Sequence, residues 1–490
     1  MESKSFLLIE LLASFSELEM EGFKQLLACA YFNTDQRVLK LLKLLEKDLL
    51  KGKPFDAIAQ AQAYHRLVGH KGKAGNLGEL DEKQTKYLRA KMSTLMQSAQ
   101  RFLTITAIEE NPAQEIVLRN KKLLEKKQFR LFERLMKKEE KRVKEKEESI
   151  EKYELAYQLE NAQLDYLYRS GTLTEKDNFP ELLFNLDSYY LLTKLNLQMA
   201  MLSIVNVTGK VYDFASFHNI APFLKTPTYK HHSLVIIYNT LIQLMTTNEE
   251  KYNHKLLKVL NDYEIVIPKK YQSDFYFVAG NYYLLQIKKG VIAYNQKLLD
   301  LYKIMHEKEL LMPDGYLQIN LLKNIVAASC KQGDFKWAEE VVNKYHLFAR
   351  KEVQKSVYHL NMGGIEFYKA NYGEARNHFS TISEEAKVNL FFDLDYKILL
   401  AKCYYETDAA YLEYTKRYFL SIEKYVRDNK RMPASTIESY KNFIQILINL
   451  YRFRHKEGKK TLESIASKVE EMEFLSNKIW LLEKIEELKK

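Results

Sequence analysis

Two stretches of this chain repeat one another at a fixed step, and that repeat limits what the chain can fold into. Residues 320–345 read NLLKNIVAASCKQGDFKWAEEVVNKY, and residues 357–382 read VYHLNMGGIEFYKANYGEARNHFSTI. At an offset of 37 residues, Asn324 falls on Asn361, Val326 on Gly363, Phe335 on Tyr372, Ala338 on Ala375 and Val342 on Phe379. Small residues recur at one place and aromatic or apolar ones at another. Such a period marks a helical hairpin that cannot bury its apolar face alone and must stack on a copy of itself. Helix backbones approach closely only where side chains are small, so Gly363, Ala338 and Ala375 are expected at crossings. Gly333 is suited to a left-handed helix end, and Asp334 to capping the next helix. Phe335, Tyr372 and Phe379 are expected to fill the gaps between hairpins.

These residues resemble the signature of the tetratricopeptide repeat family. Asn324, Gly333, Asp334, Phe335 and Ala338 carry the likeness in the first unit, and Asn361, Gly363, Tyr372, Ala375 and Phe379 in the second. The usual first-helix tryptophan and closing proline are missing, Val326 stands for a glycine, and Ala370 stands for the loop glycine. The resemblance implies an all-α protein, an α-solenoid of antiparallel hairpins over residues 112–490. A separate N-terminal helical region, 1–111, precedes it, with Pro112 as the boundary. It also implies a groove lined by the first helix of each unit. Asn320, Lys323, Ala327 and Lys331 would face that groove from one unit, and Val357, Leu360, Gly364, Phe367 and Tyr368 from the next. Phe367 and Tyr368 would be the anchors for an apolar ligand segment. The segment FKQLLACAYFN near the N-terminus resembles the start of various uncharacterised bacterial helical proteins and implies no activity.

Composition supports the helical reading. Only 16 Gly and 8 Pro in 490 residues leave few turns for a β-protein, and 28% charged with 46% hydrophobic residues fits a folded chain. Cys29, Cys330 and Cys403 are an odd set far apart in sequence, which points to a reducing, cytoplasmic compartment. The N-terminus lacks a small-residue cleavage site, and its apolar run is broken by Glu10, so no secretory signal is expected. No apolar run reaches the length of a membrane span, and no membrane partner is expected.

The net charge of +11 is concentrated: residues 119–146 hold thirteen basic and five acidic residues, a net +8. Lys121, Lys122, Lys126, Lys127, Arg130, Lys137, Lys138, Lys141 and Arg142 would be phosphate contacts if this segment held nucleic acid. Lysine outnumbers arginine more than threefold, and a solvated outer face laced with Glu–Lys pairs is the plainer reading.

Local signals place helices along the rest of the chain. Ser16 with Glu19 forms a capping box. Thr34 or Asp35 can cap the helix that follows, which Gly52 and Pro54 would stop. A short helix near 57–68 leads into the glycine-rich 70–80, whose spacing excludes a phosphate-binding loop. A long amphipathic helix runs from Asp81 to about Ile108, and 113–170 is helical with a break in KKEEKRVKEKEES. Residues 181–207 read as an apolar helix buried against its neighbours. Pairs at 232–245 with 251–263 and 273–286 with 291–306 continue the hairpin rhythm, Gly280 and Tyr283 taking the crossing and packing places. Residues 434–456 and 460–488 read as two last helices.

Chemistry is scarce. His65 and His70 are off one helix face, and neither HExxH nor CxxC is present, so no metal or cofactor is expected. The pair His231–His232 reads as surface. Asp393 and Asp395 have no nearby pocket signal. Cys330 and Cys403 read as core thiols, and the 34 tyrosines mainly as packing residues. The chain therefore reads as a non-enzymatic scaffold that binds a protein or peptide, with nucleic acid as the alternative.

Overall fold

The computed structural model describes residues 3–49, 55–69, 80–173, 176–208, 210–288, 290–313, 315, 319–387, 389–407, 412–429, 434–457, 460–472 and 475–490. The glycine-rich 70–79 and the helix stop at Gly52 and Pro54 lie outside them. Every regular element among the described residues is helical, and there is no strand. In chain order the α-helices are α1 (Ser3–Ala13), α2 (Glu17–Ala28), α3 (Gln36–Leu49), α4 (Ala57–Val68), α5 (Glu82–Glu109), α6 (Pro112–Glu125), α7 (Phe129–Lys144) and α8 (Ile150–Ser170). Then come α9 (Phe179–Thr208), α10 (Pro227–Lys230), α11 (Ser233–Thr247), α12 (Glu250–Asp262), α13 (Lys269–Lys288), α14 (Tyr294–Glu307), α15 (Ile319–Lys331) and α16 (Phe335–Tyr345). The last eight are α17 (Gln354–Tyr368), α18 (Tyr372–Ser380), α19 (Glu384–Lys387), α20 (Leu390–Glu406), α21 (Leu412–Asp428), α22 (Ala434–Arg454), α23 (Leu462–Glu471) and α24 (Lys478–Lys489).

The chain divides into two compact units, Met1–Lys137 with Ala162–Asp177, and Lys138–Asn161 with Asn178–Lys490. Pro112 is therefore not where they part: it opens α6 in the first turn, where its missing N–H costs nothing, behind the Asn111 cap. In the first unit, α2 begins with the expected capping box, Glu19 N–H to Ser16 Oγ at 3.2 Å and Ser16 N–H to the Glu19 carboxylate at 2.7 Å. Asp35 accepts from Arg37 N–H at 3.0 Å at the start of α3. Phe15, Phe23 and Phe102 pack edge-on or tilted at centroid distances of 5.4–5.8 Å, and Leu41, Leu42 and Leu95 close the core around them.

Neither of the two breaks in the basic region falls at a glycine. Lys127 takes the left-handed conformation (φ 55°), and Gln128 N–H then reaches Leu123 O at 2.9 Å, ending α6. The break expected in the lysine-rich stretch falls between α7 and α8, at 145–149.

The second unit is built on helices that pack on their sequence neighbours: α11 on α9 and α12, α13 on α14, α15 on α16 and α17, α17 on α18, and α20 on α18 and α21. One core runs from Tyr153 on α8 to Cys403 on α20, and a second joins α20 to α24. The signature residues explain the closest contacts. A Cβ on Gly363 would lie 2.5 Å from Phe379 Cε1, nearer than side-chain carbons come, so α17 and α18 cross there only because the residue is glycine. Ala338 and Ala375 have no exposed surface, and Val342 and Phe379 have at most 1%. Gly333 is left-handed (φ 75°), and Asp334 accepts from Trp337 N–H at 3.3 Å. Ala370 takes the same conformation as that glycine (φ 62°). Gly280 lies 3.5–3.9 Å, measured from an added Cβ, from the α14 side chains Leu301, Leu298 and Tyr302, and Tyr283 is buried with its hydroxyl on Asn253.

Three expectations change. Residues 460–488 form two helices: α23 ends at Met472, whose backbone is extended (ψ 119°), and α24 starts behind the left-handed Asn477 (φ 54°). His232 is not a surface residue: its ring packs on Tyr153, whose hydroxyl lies 2.8 Å from Nε2, and burial holds it below the usual histidine range. α9 buries only one side. Leu191, Leu192, Leu195, Met199 and Leu202 face the core, while Leu183, Tyr190, Leu197 and Ile204 are exposed.

Candidate functional site

Residues far apart in sequence meet where α15, α17 and α20 are overlooked by α24. The central one is Lys402, on α20 between Ala401 and Cys403. Only 6% of it is exposed. Its ammonium donates to Asn477 Oδ1 at 2.7 Å and lies 5.0, 5.8 and 6.0 Å from the ring centres of Trp480, Phe367 and Phe443. Among the described residues no carboxylate pairs with it. Burial pushes it down to about 7, the positive charge of Lys331 acts in the same direction, and Glu483 opposes both. Aromatic faces attract a cation but replace its hydration poorly.

Lys331 ends α15. It is exposed, yet surrounding protein holds its ammonium below the usual lysine range, with Glu483 opposing. The charge of Glu483 on α24 acts on Lys331 and Lys402 alike, so both ammonium groups lie around one carboxylate's field. Tyr368 on α17 shares it: burial raises its hydroxyl, and the charges of Cys330 and Glu483 add to the effect. One turn earlier is Gly364, where an added Cβ would find nothing within 4 Å although the residue itself is buried.

The far wall is α24. Trp480 meets Tyr405 edge-on at 5.4 Å and Phe443 at 6.2 Å. Lys484 binds the Glu406 carboxylate at 2.7 Å, and Ser476 N–H donates to Ser439 O at 3.2 Å. Toward the start of α15, Lys323 forms an ion pair with Asp395 on α20, so these two helices, each packed on α17, are bridged across its face.

The nine expected groove residues thus separate. Lys331 and Tyr368 both face Glu483, and Gly364, one turn before Tyr368, is buried beside open space. Asn320 is exposed, Lys323 is in its ion pair, and Ala327 lies half-buried between them and Lys331. Val357, Leu360 and Phe367 have 0, 2 and 6% of their surface exposed, so they belong to the core and cannot serve as open lining or anchor. The helical face is wide, and its more apolar positions turn inward. Sequence reasoning missed Lys402, Asn477, Trp480 and Glu483. The one available signal was a lone lysine inside the apolar run LLAKC.

Other candidates are accounted for by their partners. Burial pushes the Cys330 and Cys403 thiols up to about 12, so both are protonated at neutral pH. Asp393 pairs with Lys397 and Asp395 with Lys323, which leaves no carboxylate dyad. No group of three or more metal-ligating side chains occurs among the described residues. A depression of about 540 Å³ at the Ala370–Glu374 turn is lined chiefly by exposed residues.

The basic residues are described unit by unit. In the first, Lys121, Lys122, Lys126, Lys127, Arg130 and Lys137 are all exposed, and Lys122 pairs with Glu125 at 2.6 Å. In the second, Lys138, Lys141 and Arg142 are exposed. Lys141 approaches Glu145 at 3.9 Å, and Arg142 binds Glu139 at 3.1 Å.

Comparison with protein-family models, with curated proteins and with solved structures gave no match. No described helix is long and apolar enough to cross a membrane.

Proposed function

We infer that the stacked hairpins form a tetratricopeptide-like solenoid and that the chain is a non-enzymatic binding scaffold. Its ligand is a peptide segment that places a carboxylate beside Lys331 and Lys402. The observation that carries this reading is the buried Lys402 ammonium, which has an amide and three rings around it but no counter-ion among the described residues. An unpaired buried cation is costly unless something neutralises it. A ligand carboxylate restores the charge balance, while Tyr368 and the space over Gly364 receive the adjoining apolar group. The buried, unpaired thiols of Cys330 and Cys403 suit a reducing compartment such as the cytoplasm.

The test is a peptide array with free and amidated carboxyl ends, probed with the full chain. Binders should lose about thirtyfold or more in affinity on Lys402→Met, since one partner of a buried charge pair is removed. Binding above pH 7 should take up a proton, because the carboxylate recharges Lys402. Peptides that bind equally to the Lys402→Met and Lys331→Ala variants would reject the reading.

A further inference from the structure

The exposed side of α9 has a pattern of its own. Phe179, Leu183, Leu186, Tyr190, Leu197 and Ile204 are exposed there, at steps of four, three, four, seven and seven residues. Thr193 and Ala200 fill the intervening places. This is an a/d heptad stripe, with Leu183, Tyr190, Leu197 and Ile204 at a and Phe179, Leu186, Thr193 and Ala200 at d. At 100° per residue it lies on the side of the helix opposite Leu192, Leu195 and Met199, which pack into the core. A surface helix normally carries one apolar side; α9 carries two, and the second is exposed at six apolar positions between Phe179 and Ile204.

We propose that this stripe is a dimer interface, and that its occupant is α9 of a second copy of this chain running antiparallel. Two features select that partner. The first is shape: with a facing d, Tyr190 meets Thr193, Leu183 meets Ala200, Leu197 meets Leu186 and Ile204 meets Phe179. Every layer satisfies the same two-fold axis between residues 191 and 192, and in two of the four kinds of layer a large residue, Tyr190 or Leu183, meets a small one, Thr193 or Ala200. The second is charge. Asp187 and Lys194 occupy successive e positions on one flank. In an antiparallel pair e faces e, so Asp187 of each chain meets Lys194 of the other, twice, under that axis. A parallel pair would set e against g, placing Lys194 opposite Tyr189 and Asp187 opposite Leu182, with no ion pair formed. Lys194 is already held beside the stripe, its ammonium 5.6 Å from the Tyr190 ring centre and 3.3 Å from Ser216 O.

The test is the mass of the full chain in solution over a concentration series, by sedimentation or light scattering. The expected result is a dimer. Leu197→Glu should convert it to monomer, raising the dissociation constant on the order of 100-fold by burying an unpaired carboxylate. Leu197 is exposed in the single chain, so the variant should keep the wild-type helicity, and its melting temperature should lose only the concentration-dependent part that dimerisation adds. Asp187→Lys or Lys194→Asp alone should weaken the dimer, and the two together should restore it. A chain that stays monomeric throughout overturns the proposal. So does a dimer that ignores Leu197→Glu, or one the double exchange fails to rescue.

Discussion

Two adjacent glycines on α17 do opposite things, and substituting each shows it. Gly363→Ala forces a methyl group to within 2.5 Å of the Phe379 ring, and such overpacking costs about 1–3 kcal/mol. Gly364→Ala meets open space, so the better helix propensity of alanine should stabilise the chain by up to about 1 kcal/mol. Denaturant titration of both variants checks the pair of signs. Phe367→Ala should cost about 3–5 kcal/mol, as a core residue does, and not merely release a ligand. Lys402 gives a pH signature. Its folded-state pKa lies near 7, below the ordinary 10.5, so between these values the unfolded chain holds a proton that the folded chain lacks. Stability from this group therefore rises with pH from about 7 to 10.5 and is flat below 7. The full range is on the order of 5 kcal/mol, at about 1.4 kcal/mol per pH unit. Lys402→Met should remove that rise, which urea melts of both proteins across the window will reveal.

At the scale of elements, much was legible because caps and small-residue positions act locally. The capping box at Ser16, the Gly333–Asp334 turn and the Gly363 crossing are all short-range chemistry. The two turns that escaped prediction share a cause: Lys127 and Asn477 adopt the left-handed conformation that glycine usually signals. The same holds at Ala370, where the chain supplies alanine at φ 62°. Ala370→Gly should relieve that strain and raise stability by about 1 kcal/mol, and Lys127→Gly should act similarly in the first unit. Thermal denaturation distinguishes this from the usual loss on introducing glycine. The sidedness of α9 was not legible either, because both of its faces are apolar and the pattern alone does not say which one the fold covers.

At the scale of the molecule, the candidate site could not be read from the sequence, since Lys331, Tyr368, Lys402 and Glu483 become neighbours only through the stacking of helices and the return of α24. Their types carry no motif, and only folding makes one lysine a desolvated cation and another a surface charge. Trp480 packs against both cores of the second unit, so Trp480→Ala should cost on the order of 2 kcal/mol and loosen α24 before the rest; hydrogen exchange along α24 would report that local opening. The position of α24 also has a meaning for biosynthesis. The wall against Tyr405, Phe443 and Lys402 comes from residues translated some seventy positions after α20. Until the ribosome delivers them, the nascent chain presents an uncovered aromatic face and an amine still bathed in water, a window in which a chaperone can reach the rings of Tyr405 and Phe443 that the finished protein buries.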